Sequence, residues 1–146
     1  MSQSEIRRAA LDFLARREHS LLELRRKLQK RFSEASDLIE DVLAKLVTEK
    51  LQSDARFTES FTHHRINQGF GPVRIRYELH ERGIAESLIE QYLERDDSIW
   101  HEHIRTLWQK RFRATKPKDY TEQAKQSRFL QYRGFTVSQI NALFRK

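Results

Sequence analysis

Apolar residues recur along this chain at intervals of three and four almost from end to end, the period of helices that bury one stripe. Ile6, Ala9, Ala10, Phe13 and Leu14 share one face of a first segment, while Arg7, Arg8, Asp12, Arg16 and Arg17 fall largely elsewhere. Ser20, with Glu23 three residues on, forms a capping box in which each side chain satisfies the other's exposed backbone N–H. It opens a second helix whose stripe is Leu24, Leu28 and Phe32; a third carries Ile39, Val42, Leu43 and Leu46 inward. A fourth helix starts near Ser53-Asp54, both good N-caps, with Phe57 and Phe61 one turn apart, and stops at Gly69-Phe70-Gly71. Pro72 suits a first helical turn, where its missing N–H costs nothing. The fifth helix then runs through Ile75 and Leu79 to Gly83, a left-handed C-cap.

The sixth helix carries Leu88, Ile89, Tyr92 and Leu93. The seventh begins near Asp96-Asp97-Ser98 and buries Trp100, Ile104, Leu107 and Trp108. Residues 113–119 form the most linker-like stretch. Asp119 with Glu122 caps an eighth helix that ends at Gly134, and Thr136 with Gln139 caps a ninth, whose inward residues are Ile140, Leu143 and Phe144. No segment alternates in the manner of a strand, so the fold class is all-α.

The order of long helix, capped helix and amphipathic helix occurs three times. Arg82-Gly83-Ile84 and Arg133-Gly134-Phe135 stand 51 positions apart, and Leu24 and Leu28 match Ile75 and Leu79 at that same offset. Ile39 and Leu43 match Ile89 and Leu93 at an offset of 50. The pattern predicts three tandem three-helix repeats, residues 1–52, 53–95 and 96–146, stacked into an elongated, curved array; an irregular single bundle is the other arrangement it allows. A compact chain of this length has a radius of gyration of about 15 Å, and three units side by side reach about 60–70 Å on helix dimensions. Solution scattering is therefore expected to give a radius of gyration clearly above the compact value; one at that value would contradict the array.

Composition agrees with helices that each bury a single stripe. Of 146 residues, 38% are hydrophobic and 34% charged, with only 4 Gly and 2 Pro to interrupt a helix. The absence of Cys excludes disulfide frameworks and thiolate zinc sites. The N-terminal residues lack an apolar signal core, and no apolar run approaches the roughly 18 residues of a membrane span. The expectation is a soluble, cytoplasmic chain with no membrane partner. The net charge of +7 divides as +2, −1 and +6 over the three repeats, so the basic field is mostly C-terminal and favours a polyanion or an acidic protein surface.

Catalytic signals are absent. The histidines are His19, His63, His64, His80, His101 and His103, and neither the adjacent pair nor His101-Glu102-His103 has the i, i+4 spacing that turns two imidazoles to one metal on a helix. Gly69-Phe70-Gly71-Pro72 lacks the Gly-Lys-Ser/Thr ending of a phosphate loop and does not follow a strand; it is a helix–helix turn. No serine sits in a nucleophile elbow, and no carboxylate pair has a catalytic setting. The expectation is a non-enzyme without cofactor or metal.

Residues 53–84 read Ser-Asp-Ala-Arg-Phe, then Arg65, then Gly69-Phe70-Gly71-Pro72-Val73-Arg74-Ile75-Arg76-Tyr77-Glu78-Leu79, closing on Arg82-Gly83-Ile84. This resembles the central signature of the RecX family of recombination regulators. Leu14, Arg17, Ser20, Glu23, Leu24 and Leu28 are similar to that family's N-terminal pattern, and in the third repeat the resemblance rests on Arg133-Gly134-Phe135 and the helix after it. The resemblance implies three tandem three-helix units, no enzymatic activity, and binding along the groove of the RecA–DNA filament. It also implies inhibition of filament extension, ATP hydrolysis, strand exchange and the co-protease function, with RecA and the RecA–DNA nucleoprotein filament as partners of a monomer. Binding to single- or double-stranded DNA alone would be weak and unselective.

Two basic groups are candidate contact surfaces. Arg65, Arg74 and Arg76 gather around the Gly-Pro turn of a repeat that is otherwise slightly acidic, and arginine grips carboxylate or phosphate bidentately. They read equally well as a solvated helix face with local pairs such as Arg74 with Glu78. Lys116, Lys118, Lys125, Arg128 and Arg133 form the second group, dense enough for phosphate contact. Glu78 and Asp54 read as structural, and Phe57, Phe61, Trp100 and Trp108 lie at core spacing rather than as stacking platforms. The alternative function is a basic helix-turn-helix DNA-binding module acting without RecA.

Overall fold

The computed structural model describes residues 2–94 and 96–145, and among them nine α-helices and no strand. In order these are α1 (Gln3–Arg16), α2 (Leu21–Arg31), α3 (Ser36–Thr48), α4 (Asp54–Asn67), α5 (Pro72–Glu81), α6 (Glu86–Leu93), α7 (Asp97–Phe112), α8 (Tyr120–Tyr132) and α9 (Val137–Phe144). The caps lie where the sequence puts them. Ser20 and Glu23 close the box at α2, Thr136 and Gln139 close it at α9, Asp96 caps α7, and Asp119 accepts from the Glu122 N–H at α8.

The described chain divides into two compact units: residues 1–60 with 79–88, and residues 61–78 with 89–146. The middle three-helix stretch is thus shared between the two. In the first unit, α1, α2 and α3 pack mutually around Ile6, Ala9, Ala10, Leu24, Leu28, Ile39, Val42, Leu43 and Leu46. In the second, α7, α8 and α9 pack together, and Ile75, Ile89, Trp100, Ile104, Leu130 and Phe135 are buried. The indoles sit in this interior with their polar atoms satisfied: Trp100 Nε1 donates to the Leu93 carbonyl at 3.1 Å and Trp108 Nε1 to Gln126 Oε1 at 2.9 Å.

One junction recurs, once within each unit. In the first unit the end of α5 meets the start of α2. Gly83 lies so near Leu22 that a Cβ added there would come within 2.9 Å of that side chain. Beside it, Arg82 Nε stands 3.5 Å from Glu23 Oε2, and Arg17 grips the same carboxylate with two hydrogen bonds, at 3.1 and 3.3 Å. Asp54 Oδ1 accepts the Leu21 N–H at 2.8 Å and Gln52 Nε2 at 2.9 Å, so Asp54 fastens the start of α2 to the start of α4. With Asp54 at the same helix start, two carboxylates stand against Arg17 and Arg82, and this junction is close to charge-balanced.

His19 is buried under that junction. Its Nδ1 lies 3.1 Å from the Arg17 carbonyl and its Nε2 lies 2.8 Å from Lys27 Nζ. A carbonyl can only accept and an ammonium can only donate, so the ring must be the neutral tautomer protonated on Nδ1. Burial lowers the His19 pKa from 6.5, and the Arg17 and Lys27 charges add to the effect against opposition from the Arg17 carbonyl and Glu23. Burial alone would raise the Glu23 pKa. The hydrogen bonds from Arg17 and the Ser20 N–H, with the Arg17 charge, outweigh it and hold the carboxyl below its ordinary value.

Both groups bind fewer protons folded than unfolded, so both make stability fall on acidification. The His19 contribution is complete above pH 6.5 and is lost as pH drops below it; the Glu23 contribution is lost below 4.5. Denaturant midpoints measured from pH 8 down to about pH 3 are expected to fall in these two windows, and His19→Gln is expected to remove the upper one. A flat profile between pH 7 and 5 in the native chain would contradict the neutral, buried imidazole.

Candidate functional site

The matching junction in the second unit is built from the same parts but carries a different charge. Here the end of α8 meets the start of α5. The Gly71 N–H donates to the Arg133 carbonyl at 2.8 Å and the Val73 N–H to the Gly134 carbonyl at 2.9 Å. The backbones approach so closely that a Cβ on Gly71 would lie 2.5 Å from the Gly134 oxygen, and one on Gly134 2.5 Å from Arg74 Cβ. The turn residues Gly69-Phe70-Gly71 are therefore pinned to the tip of α8, and Phe70 is held half-buried with arginines on several sides.

Three guanidinium groups converge on the Phe70 ring. Arg65, from α4, has its central carbon 4.0 Å from the ring centroid; Arg74, from α5, is at 4.2 Å; Arg133, after α8, is at 4.9 Å. A ring face attracts cations at these separations, and stacking fixes the guanidinium plane while its N–H edge stays able to donate. The series continues. Arg133 also lies 5.3 Å from the Phe129 ring, Arg111 of α7 lies 5.1 Å from that ring, and Arg74 lies 5.8 Å from the Tyr132 ring.

Glu78 is the carboxylate facing this cluster. Arg65 binds it bidentately, through Nε at 2.8 Å and Nη2 at 2.7 Å, and Arg74 Nε reaches it at 3.4 Å. The side chains of Arg65 and Glu78 keep only 19% and 14% of their exposure, so this pair is largely withdrawn from water and positions Arg65. Arg133 Nη1 donates to the Gln68 carbonyl at 3.0 Å. One carboxylate against three guanidiniums leaves a local positive excess, and like charges held this close cost stability that a bound anion would return.

Position 74 shows how the two junctions diverged. At the 51-residue offset it corresponds to Glu23, and Arg133 corresponds to Arg82. The first junction pairs Arg82 with Glu23; the second sets Arg133 beside Arg74.

Of the residues singled out from the sequence, Arg65 and Arg74 meet, and Arg133 joins them rather than the lysines with which it was grouped. Arg76 does not join them. Two positions past Arg74 it points elsewhere on α5, with its Nη2 4.0 Å from Glu94. Lys116 and Lys118 line a shallow depression of about 410 Å³ before α8 with Thr115, Asp119, Thr121 and Glu122. Lys125 and Arg128 are exposed on α8. Asp54 and Glu78 both hold structural bonds. Phe70, Arg111 and Tyr132 were missed, because their role depends on pairings across the fold.

Comparison with known proteins follows this geometry. Residues 53–93 match the model of the second three-helix domain of RecX, and residues 101–144 match that of the third. The chain belongs to the RecX family. It is 46% identical over 138 residues to the regulatory protein RecX of Pseudomonas putida strain KT2440, covering 94% of this chain and 88% of the relative. It is 48% identical over 141 residues to that of Ectopseudomonas mendocina, covering 96% and 93%. The crystal structure of RecX from Lactobacillus salivarius superposes with a TM-score of 0.82 at 26% identity, covering 97% of this chain and 93% of that one. The RecX relatives carry the name of regulators, and this chain shares their all-helical fold of three-helix repeats. Both the Gly-Phe-Gly-Pro turn and Arg133-Gly134-Phe135, the two sides of the junction, fall inside the family-matched segments.

Among the described residues, no group of three or more His, Cys, Asp or Glu side chains is arranged to hold a metal ion. No described helix is long and apolar enough to cross a membrane.

Proposed function

We propose that this protein regulates the RecA recombinase by binding RecA and the RecA–DNA filament, and that binding inhibits its ATP hydrolysis, strand exchange and co-protease activity. The observation that carries this reading is the arginine excess around Phe70. The corresponding junction of the first unit sets two arginines against the carboxylates of Glu23 and Asp54, whereas this one keeps three guanidiniums against one carboxylate. A filament of protein and DNA offers both carboxylates and phosphates, the two groups a guanidinium fork grips bidentately. Lys116, Lys118, Lys125 and Arg128 form a second basic contact region, and several weak contacts on one polymer add up because later ones are effectively intramolecular.

The test is binding to preassembled RecA filaments on single-stranded DNA at several salt concentrations. Each phosphate contact steepens the salt dependence. Changing Lys116, Lys118 and Lys125 to Ala together is expected to weaken binding and flatten its slope against salt; an unchanged slope removes these lysines from the interface. The other reading, a helix-turn-helix module acting without RecA, requires tight and sequence-selective binding to duplex DNA alone. The RecA reading requires that binding to naked duplex be weak and unselective.

A further inference from the structure

One lysine of the first unit is set apart from the rest. Of the eight lysines among the described residues, seven are exposed and Lys27 alone is not. It lies on α2, with its Nζ 2.8 Å from Nε2 of the buried His19 and 5.0 Å from the centroid of the Phe13 ring. The Phe13 and His19 rings stand 5.9 Å apart, so the amine is held by a phenyl ring and an imidazole together. His19 is fixed in turn at Nδ1 by the Arg17 carbonyl, which leaves the Nε2 lone pair for Lys27. Burial lowers the Lys27 pKa from 10.5, and the Arg17 and Arg16 charges add to the effect against the Glu23 carboxylate. The Phe13 ring face works the other way, since it attracts the ammonium. Packing alone would use the Lys27 stem and leave its amine in water.

A partly desolvated amine, a neutral imidazole in hydrogen-bond contact with it and a third group orienting that imidazole are the parts of an activated nucleophile. We propose that Lys27 is a site of covalent acylation by a small acyl phosphate, with His19 as the general base. In the fraction of molecules whose Lys27 has lost its proton, one N–H stays on Nε2 and the nitrogen lone pair attacks the acyl carbon. A C–N bond forms, the C–O bond to phosphate breaks, and phosphate leaves with the bonding pair. The surplus proton on the nitrogen passes to His19 Nε2 and from there to water. Arg16 and Arg17 are both exposed, and their charges reach Lys27, so an anionic donor is drawn to this amine more than an uncharged one. The amide product keeps an N–H for Nε2, so the pocket retains its hydrogen bond and loses one positive charge. Nothing in this chemistry depends on the regulatory reading.

The test incubates the full chain with acetyl phosphate and follows acetylation of each lysine by peptide mass spectrometry. Lys30, exposed on the same helix, is the internal reference. Lys27 is expected to gain acetyl at least about fivefold faster than Lys30, since an adjacent base and partial desolvation both raise the share of reactive amine. His19→Gln is expected to abolish that lead and leave the Lys30 rate unchanged, because an amide can accept the Lys27 N–H but cannot take its proton. The native chain unfolded in guanidinium chloride supplies the same comparison without a substitution, and there the two lysines are expected to react alike. An uncharged acetyl ester is expected to show a smaller Lys27 lead than acetyl phosphate does. Equal rates at Lys27 and Lys30 in the folded chain overturn the site. A lead that survives His19→Gln in a folded variant overturns the role of His19, and one that survives unfolding assigns the reactivity to local sequence and overturns the proposal. A larger lead with the uncharged ester overturns the acyl phosphate as its donor.

Discussion

Gly134→Ala is expected to lower the unfolding free energy by about 3 kcal/mol and, on the proposed function, to weaken inhibition of RecA. The backbone at this position has φ +102°, where a Cβ is strained, at a cost of about 1–2 kcal/mol. The added carbon would also sit 2.5 Å from Arg74 Cβ and 2.8 Å from the Arg74 backbone nitrogen. Backbone atoms cannot rotate aside, and overpacking of this kind costs about 1–3 kcal/mol. Relief requires α8 to lift from α5, which breaks the Gly71 and Val73 hydrogen bonds and separates Arg133 from Phe70. Gly83→Ala provides the comparison, because there the obstructing atoms are the Leu22 side chain at 2.9 Å. It is expected to cost about half as much. Guanidinium denaturation of the two variants measures the difference; equal, small losses would show that the second junction is not held as tightly as its geometry states.

Arg74→Glu is the second large effect, and it acts on function rather than folding. The change gives the second junction the residue that the first junction has at the equivalent place, opposite an arginine at the same offset. Arg133 gains a carboxylate neighbour, while Glu78 at i, i+4 becomes a like-charge neighbour costing a few tenths of a kcal/mol. Stability is expected to stay within about 1 kcal/mol of wild type, since the two effects oppose. The concentration needed to half-inhibit RecA is expected to rise about 30-fold, as loss of a central arginine anchor removes about 2 kcal/mol of binding. Arg65→Ala is a different case, because it removes the bidentate partner of the largely buried Glu78 carboxylate and so destabilises the fold as well. An Arg74→Glu variant that folds normally and inhibits as well as wild type would remove the cluster from the interface.

The fold was legible because its signals are local. Ser20 with Glu23 and Thr136 with Gln139 lie within one turn of each other, Pro72 marks a first turn by its own covalent structure, and the apolar stripes need only the helical period. The site was legible only in part. Arg65 and Arg74 flank the Gly-Phe-Gly-Pro turn in sequence and meet in space, whereas Arg76 is turned aside by the angle that two positions subtend on a helix. Arg133 is brought to them by backbone hydrogen bonds from Gly71 and Val73, which leave no trace in local pattern. One signal does exist in the sequence. The 51-residue offset that aligns Arg82 with Arg133 also aligns Glu23 with Arg74, so the charge reversal between the two junctions is written in the repeat itself. Which neighbours face that reversal, and that Phe70 lies between them, needs the fold. The compact units were not legible either, because their boundaries cut through α4, α5 and α6, whose helical pattern is continuous.

The most direct measurement is ATP hydrolysis by RecA on single-stranded DNA, titrated with this protein after filaments have assembled. Hydrolysis should decline steeply by equimolar dose, and should decline less at higher salt because guanidinium contacts to carboxylate and phosphate are screened. Hydrolysis that continues at its starting rate with equimolar protein at low salt would contradict the account.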